Sequence, residues 1–147
     1  MLIGREQIQA LIPHAGNMCL LSSVAEWDEK RISCIAQSHR DSDNPLSSNG
    51  KLAALCGIEY AAQAMAVHGG LTNLVSQRPR AGLLVGLRNV IAEVKYLNEF
   101  KQDLRIEAEQ LAAGNEGVMY QFALYADTTL LLSGRATIIL DSAGKFS

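Results

Sequence analysis

One carboxylate interrupts an otherwise apolar stretch of the sequence. Glu59 lies within GIEYAAQAMAVHGG, residues 57 to 70, and Gln63 follows four residues later. On a helix these two side chains would share a face, so Gln63 could orient the carboxylate by hydrogen bonding. A carboxylate leaves water only at a cost of several kcal/mol unless it is paired or takes up a proton. The stretch therefore predicts a buried Glu59 that transfers protons, with a glutamate satisfied by a backbone amide or by Gln63 as the alternative.

A second proton-transfer group could come from one of the chain's histidines, since imidazole titrates near neutral pH. His39 follows the second predicted strand and leads into the loop before the helix, so we predict that it is catalytic. Its alternative is a solvated residue at a strand end. His68 falls on the side of the helix opposite Glu59, and we predict that it caps the helix C-terminus.

The order of apolar and turn-forming segments predicts the architecture. A short helix is expected over residues 5 to 11, strands over 18 to 27 and 31 to 38, a loop over 40 to 51, a long helix over 52 to 68 that Gly69 and Gly70 end, and strands over 82 to 97, 103 to 113, 118 to 126 and 129 to 140. A helix that is apolar nearly all round needs a sheet around it and a partner subunit on its remaining face. We therefore predict an α+β, hotdog-like fold, in which an antiparallel sheet wraps around one long central helix.

Composition limits the classes of function. The chain has 147 residues, which fits one domain over 1 to 147, and 13 basic residues nearly balance 15 acidic ones, which argues against nucleic acid or a membrane surface as a partner. Cys19, Cys34 and Cys56 fit neither a disulfide framework nor a zinc site. We expect a soluble cytoplasmic protein with no metal and no cofactor.

Several motifs, in order, resemble one family. The matching stretches are Leu11-Ile12-Pro13-His14 with Met18-Cys19-Leu20-Leu21, Gly57-Ile58-Glu59-Tyr60-Ala61-Ala62-Gln63-Ala64, and Ser133-Gly134-Arg135-Ala136-Thr137. The chain resembles the hotdog-fold beta-hydroxyacyl-acyl-carrier-protein dehydratases of the FabA/FabZ type, and looks closest to the ApeP-like branch associated with aryl polyene clusters.

The resemblance implies a reaction and its site residues. In that family a helix carboxylate and a loop histidine, supplied by two subunits of a dimer, remove water from a 3-hydroxyacyl thioester. Glu59 falls on the carboxylate position, whereas Pro45 occupies the usual histidine position, fourteen residues earlier. His39 is the nearest upstream histidine, so we expect it to take the proton alpha to the carbonyl while protonated Glu59 donates to the leaving hydroxyl. His14 matches a Leu-Pro-His segment of that family, in which the histidine has a structural role.

Other residues are predicted to bind substrate. Backbone amides at Cys56 and Gly57 begin the helix and suit a thioester carbonyl that gains negative charge. Gln63 and Asn44 could orient substrate or carboxylate, although Asn44 could simply be a turn residue. Gly86, inside a strand pattern, could mark close approach of the acyl chain or a bulge.

The resemblance also implies partners and leaves alternatives open. We expect an acyl carrier protein with a phosphopantetheine-linked substrate, and a homodimer, a higher homo-oligomer or a heterodimer with a related dehydratase. A carrier of this kind is acidic, so basic residues near the site could recognise it, and the candidates are Arg78, Arg80, Arg88 and Lys95. The same fold hosts acyl thioesterases. A third alternative is a non-catalytic subunit that binds the carrier or a partner.

Overall fold

The structure, a computed structural model, describes residues 3–12, 18–76, 81–114 and 117–141. His14, Arg78 and Arg80 lie outside the described residues. The elements are, in order, β1 (Ile3–Gly4), α1 (Arg5–Leu11), β2 (Ser23–Trp27), β3 (Arg31–Ala36), α2 (Gly57–Ser76), β4 (Ala81–Ala92), β5 (Leu104–Ala113), β6 (Gly117–Ala126) and β7 (Thr129–Asp141), with short 3-10 turns at Ser38–Arg40 and Ala54–Cys56.

The strands form one antiparallel sheet. Its seven strands lie in the order β1-β2-β3-β5-β6-β7-β4, so β1 and β4 are the edges. On β5, Leu104, Ile106 and Ala108 are buried whereas Glu109 is exposed, which confirms the alternation predicted for this strand. The pairing of β1 with β2 was not predicted, because two residues are too few to show a period.

Helix α2 packs along the concave face of the sheet. Tyr60, Ala64 and Val67 are buried, while Leu55, just before the helix, and Ala66 on it are exposed. The sheet therefore covers most of the helix and leaves one stripe of it open. This arrangement confirms the predicted α+β fold around one long helix. Among the described residues, no helix has the length and apolar character needed to cross a membrane.

Both ends of the helix lie later in the chain than predicted, since it begins at Gly57 rather than at residue 52. It continues through Gly69 and Gly70 to Ser76, so the prediction that these glycines end it was wrong. A glycine ends a helix by adopting a left-handed φ, and neither glycine has a positive φ. At Gly70 an added Cβ would lie 3.2 Å from Leu11 Cδ2, so this glycine lets α1 pack closely against α2.

Two strand boundaries differ from the sequence prediction by several residues. β2 begins at Ser23 rather than Met18, and β4 ends at Ala92 rather than at residue 97. Upstream of β2, the Leu20 amide donates to the Gln63 side chain instead of to a neighbouring strand. Beyond β4, Tyr96 forms only an isolated bridge with Ala53. In both places a contact distant in sequence replaces the regular ladder.

The N-terminus of α2 is packed tightly against the sheet at Gly57. A Cβ added there would lie 2.7 Å from Leu132 Cδ2 and 2.9 Å from Leu124 Cδ2. We therefore expect Gly57→Ala to lower the free energy of unfolding by about 1–3 kcal/mol, as overpacked cores do. Urea unfolding measures this effect.

Gly69 provides the matched control, because it lies on the same helix and an added Cβ would meet nothing within 4 Å. We expect Gly69→Ala to stabilise the protein by up to about 1 kcal/mol, the difference in helix propensity. Equal effects of the two substitutions would show that the packing of Gly57 on β6 and β7 is not what constrains it.

Candidate active site

Glu59 is held by Gln63 on the open stripe of α2. Gln63 is 1% exposed, and its Nε2 lies 3.4 Å from Glu59 Oε1. The same amide donates to the Met18 carbonyl over 2.8 Å, and its Oε1 accepts from the Leu20 amide over 2.9 Å. Gln63 thus fixes both the carboxylate and the segment that follows residue 17. Glu59 itself is half-buried, not buried as the sequence predicted, because the sheet does not reach this side of the helix.

Asn44 and Tyr60 join the loop before α2 to the helix. Asn44 Nδ2 donates to the Ser38 carbonyl over 2.8 Å and to the Tyr60 hydroxyl over 3.0 Å, and Asn44 Oδ1 accepts from the Leu46 amide. The Tyr60 hydroxyl also lies 2.7 Å from Ser38 Oγ. Both amide hydrogens of Asn44 are therefore used to anchor the loop. Ser38 and Tyr60 were not predicted to take part in this network, since their partners are distant along the chain.

His39 is buried on the 3-10 turn that follows β3. It is 1% exposed, so the solvated alternative does not hold. Its Nε2 lies 2.9 Å from the Phe100 carbonyl, and a carbonyl can only accept, so Nε2 carries the hydrogen and Nδ1 a lone pair. Nδ1 has no hydrogen-bond partner among the described residues. Burial lowers the pKa of His39, which keeps the ring neutral. No hydrogen bond or ion pair joins His39 to Glu59, so one subunit does not bring the two predicted catalytic groups into direct contact.

His68 is an internal residue of α2, and its predicted role as a C-terminal cap was wrong. The helix runs eight residues beyond it, to Ser76. The ring is fully buried, with Nδ1 2.6 Å from the Tyr120 hydroxyl and Nε2 2.8 Å from the Asp28 carbonyl. Because a carbonyl can only accept, Nε2 donates to the Asp28 carbonyl, and Nδ1 of the neutral ring accepts from the Tyr120 hydroxyl. His68 therefore ties the helix to the β2–β3 turn and to β6, on the side away from Glu59.

Both buried histidines should make the fold sensitive to acid. Burial lowers the pKa of His68 as it does that of His39, so the folded chain holds both rings neutral below their ordinary range. The unfolded chain protonates them near pH 6.5, so it binds more protons below about that pH. We expect the free energy of unfolding to fall as the pH decreases below about 6.5, by at most about 1.4 kcal/mol per pH unit for each histidine.

Urea unfolding between about pH 7.5 and about pH 5.5 measures this dependence. His39→Gln should reduce the slope while keeping a side-chain donor near the Phe100 carbonyl. A free energy of unfolding that stays constant over this range would contradict the neutral, buried state of the two rings.

The start of α2 offers fewer free amides than the sequence predicted. The Cys56 amide donates to the Ala53 carbonyl over 3.0 Å, and the Gly57 amide donates to the Ala54 carbonyl. The Cys56 thiol faces the Leu46 carbonyl at 3.9 Å. A thioester oxygen would have to share these amides with the 3-10 turn.

Gly86 lies at an irregularity of the sheet. The register between β4 and β7 shifts between Leu84 and Gly86, as in a bulge, and a Cβ added to Gly86 would be 4.0 Å from Thr137 Cβ. There is room for a side chain here, so the packing of this chain does not require a glycine.

The antiparallel sheet around one central helix, with a carboxylate on the open stripe of that helix, defines the hotdog class of fold. Solved structures agree with this class. The chain is similar to a protein in the ApeI:P dehydratase heterocomplex of Xenorhabdus doucetiae, with a TM-score of 0.81 and 21% identity over 95% of this chain and 93% of that chain. It is also similar to a mutant thioesterase from Pseudomonas aeruginosa, with a TM-score of 0.65 and 14% identity over 92% of each chain.

The chain belongs to the ApeP-like family, whose description is ApeP dehydratase, and the family model matches residues 6–144. No curated protein gives a significant sequence match. Family membership confirms the resemblance seen in the sequence and the predicted function, dehydration of an acyl thioester. The thioesterase alternative shares the fold but fits this family less well.

Proposed function

We propose that the protein removes water from a 3-hydroxyacyl thioester, carried by an acyl carrier protein, to give a trans-2-enoyl thioester. In this reaction a base takes a proton from C2, the electron pair forms the C2–C3 double bond, and the C3 hydroxyl leaves as water with a proton from an acid. The observation that carries the proposal is Glu59, which Gln63 holds on the open stripe of α2 in a chain of a dehydratase family. We assign the donation to the leaving hydroxyl to Glu59.

We propose His39 as the group that takes the C2 proton. Its neutral ring has a lone pair on Nδ1, which is the form that a general base needs. Nδ1 is buried in the single subunit, so the substrate must enter the interior of the protein to reach this atom. His39→Gln should then lower turnover without changing the affinity for the enoyl product.

A second arrangement places the imidazole on a partner subunit. The similar structure from Xenorhabdus doucetiae is a dehydratase heterocomplex, and the His39 ring in this chain is fixed to the Phe100 carbonyl. In that case the chain would contribute Glu59 to a shared site, and its activity would appear only after mixing with a related dehydratase. His39→Gln would then leave the activity of the mixture unchanged, which separates the two arrangements.

The edge strand β4 is the surface that we propose for the partner subunit, whether a second copy or a related dehydratase. Large apolar side chains are exposed along it: Val85 (49%), Leu87 (41%) and Ile91 (53%). An edge strand also presents unpaired backbone groups that can pair with another chain. A partner seated here would extend the sheet and bury these side chains.

We therefore expect Ile91→Glu to raise the dissociation constant of the assembly at least about tenfold, because a charge would be buried at the contact. Sedimentation velocity of the chain, alone and with a related dehydratase, measures the assembly. Leu111→Glu is the control, since Leu111 is 44% exposed on β5, an inner strand of the sheet. Unchanged assembly of the Ile91 variant would show that the partner binds elsewhere.

We place the reaction in the cytoplasm, and the three free cysteines support a reducing compartment. Burial raises the pKa of Cys34 to about 12, so its thiol is not a nucleophile in this reaction.

The test of the proposed function is mass spectrometry of 3-hydroxyacyl and enoyl carrier proteins incubated with the chain and with its partner. Loss of one water from the first, or gain of one by the second, is the expected result. Release of the free acid would instead indicate a thioesterase.

A further inference from the structure

The orientation of the Gln63 amide toward Glu59 is fixed by the Leu20 peptide. A side-chain amide can turn either its NH2 group or its oxygen to a neighbour, and only the NH2 group can donate to a carboxyl oxygen. The Leu20 N–H lies 2.9 Å from Gln63 Oε1, which leaves Nε2 to face Glu59 and the Met18 carbonyl. The placement of the Leu20 peptide therefore decides how the carboxyl group of Glu59 is held.

Side-chain hydroxyls hold the carbonyl of the same residue, Leu20, which lies upstream of the start of β2 at Ser23. Ser38 Oγ donates to this carbonyl over 2.8 Å and lies 2.7 Å from the Tyr60 hydroxyl. A hydroxyl has a single hydrogen, and Ser38 gives its own to Leu20, so the Tyr60 hydroxyl is the donor to Ser38. Asn44 Nδ2 donates to the Tyr60 oxygen over 3.0 Å, and burial raises the pKa of Tyr60, so the hydroxyl keeps its hydrogen.

These hydrogen bonds form a closed ring that leaves α2 at Gln63 and returns to it at Tyr60. Between these two residues the ring passes through the Leu20 peptide and Ser38. Tyr60 directly follows Glu59, so the two side chains leave the helix about 100° apart. Glu59 lies on the open stripe, whereas Tyr60 is fully buried. The hydroxyl of Tyr60 is therefore linked to Glu59 by way of Leu20 and Gln63.

We propose that Tyr60 is a positioning residue for the proton transfer by Glu59. Its hydroxyl fixes the Leu20 peptide through Ser38, and that peptide sets the orientation of the Gln63 amide that holds the carboxyl group. The proposal rests on the proposed function, since it assigns Tyr60 to the step in which Glu59 gives its proton to the leaving hydroxyl. It holds for either arrangement of the imidazole, in this chain or on the partner subunit.

The first test is Tyr60→Phe, which keeps the buried ring and removes only the hydroxyl. Turnover of a 3-hydroxyacyl carrier protein is measured with the partner subunit present. We expect kcat to fall about tenfold and KM to stay the same, because a displaced catalytic group slows the chemical step without weakening binding. Ser38→Ala should have the same effect, since it breaks the ring of hydrogen bonds while Tyr60 stays in place.

A double-mutant cycle shows whether Tyr60 acts through Glu59. Added to Glu59→Gln, the Tyr60→Phe substitution should cost no further activity, because residues that work as a unit are not additive. A further loss of about tenfold in the double variant would overturn the proposal, since Tyr60 would then act on another group.

The matched control is Tyr120→Phe, on the side of α2 away from Glu59. Tyr120 is 3% exposed, and its hydroxyl lies 2.6 Å from His68 Nδ1 and 3.3 Å from Gln110 Nε2. This substitution also removes one buried hydroxyl that contacts two polar side chains, so it should destabilise the fold to a similar extent. We expect it to leave kcat unchanged at temperatures where the variant is folded. Equal losses of kcat in the two tyrosine variants would show that Tyr60 serves only the stability of the fold.

Hydrogen exchange of the Leu20 amide tests the same coupling without turnover. In Tyr60→Phe this amide should exchange about tenfold faster relative to the amides of β5, which report unfolding of the whole chain. In Tyr120→Phe the ratio should match that of the wild type. An unchanged ratio in Tyr60→Phe, or the same increase in both variants, would contradict the proposal. An inactive wild type, combined with faster exchange in Tyr60→Phe alone, would contradict the proposed function and not the positioning of Leu20 by Tyr60.

Discussion

Replacing Glu59 with glutamine is expected to lower the rate of dehydration at least about a hundredfold while leaving the fold intact. The glutamine has nearly the same shape and can still face Gln63, whose amide lies 3.4 Å from Glu59 Oε1. It cannot give a proton to a leaving hydroxyl, so the loss should appear in kcat rather than in the unfolding curve. Turnover of a 3-hydroxyacyl carrier protein, with the partner subunit present, measures the effect.

The control for this substitution is Glu29→Gln, an exposed residue of the β2–β3 turn. It removes one negative charge without touching α2 and should leave turnover unchanged. Near wild-type turnover of the Glu59 variant would contradict the proposed role of the carboxylate. A fall in turnover accompanied by unfolding would instead show that Glu59 stabilises the fold.

Replacing Gln63 with leucine is expected to lower the free energy of unfolding by about 2–4 kcal/mol, because each buried polar group left unpaired costs about 1–3 kcal/mol. The leucine would leave the Leu20 amide and the Met18 carbonyl without their partner. Activity should also fall at temperatures where the variant is folded, since the carboxylate of Glu59 would lose its contact with the amide. Urea unfolding and turnover of one preparation measure both effects.

Gln121→Leu is the matched control, because Gln121 is exposed on the convex face of β6. It should change the free energy of unfolding by less than about 0.5 kcal/mol. If the Gln63 variant were equally harmless, the hydrogen bonds to Met18 and Leu20 would not be what fixes the segment before β2.

The sequence predicted the elements that depend on local patterns. The alternation of Leu104, Ile106 and Ala108 on β5 was read correctly, because a strand with one covered face repeats every two residues. The apolar run around Glu59 was read correctly as the central helix. The end of this helix was predicted wrongly. Gly70 does not end the helix but lets Leu11, which is distant along the chain, pack closely against it.

The candidate site was predicted only in part, because local patterns report neighbours on one element and not contacts between distant segments. Glu59 and Gln63 are four residues apart on one helix, so helical geometry alone brings them together. His39 and Asn44 were singled out by residue type and position, but their contacts with Phe100 and Tyr60 cross 61 and 16 residues of chain. No periodicity reports such contacts.

The sequence by itself determined the class of fold, the central helix and the pairing of Glu59 with Gln63, because each follows from spacing along one element. Only the tertiary structure decided where the polar side chains point. It attached Gln63 to Met18 and Leu20, turned the His39 ring to the Phe100 carbonyl, buried His68 against Tyr120, and set Arg88 beside Arg135. The physical reason is that buried donors and acceptors must find partners, and those partners come from whichever strands the folded sheet places nearby.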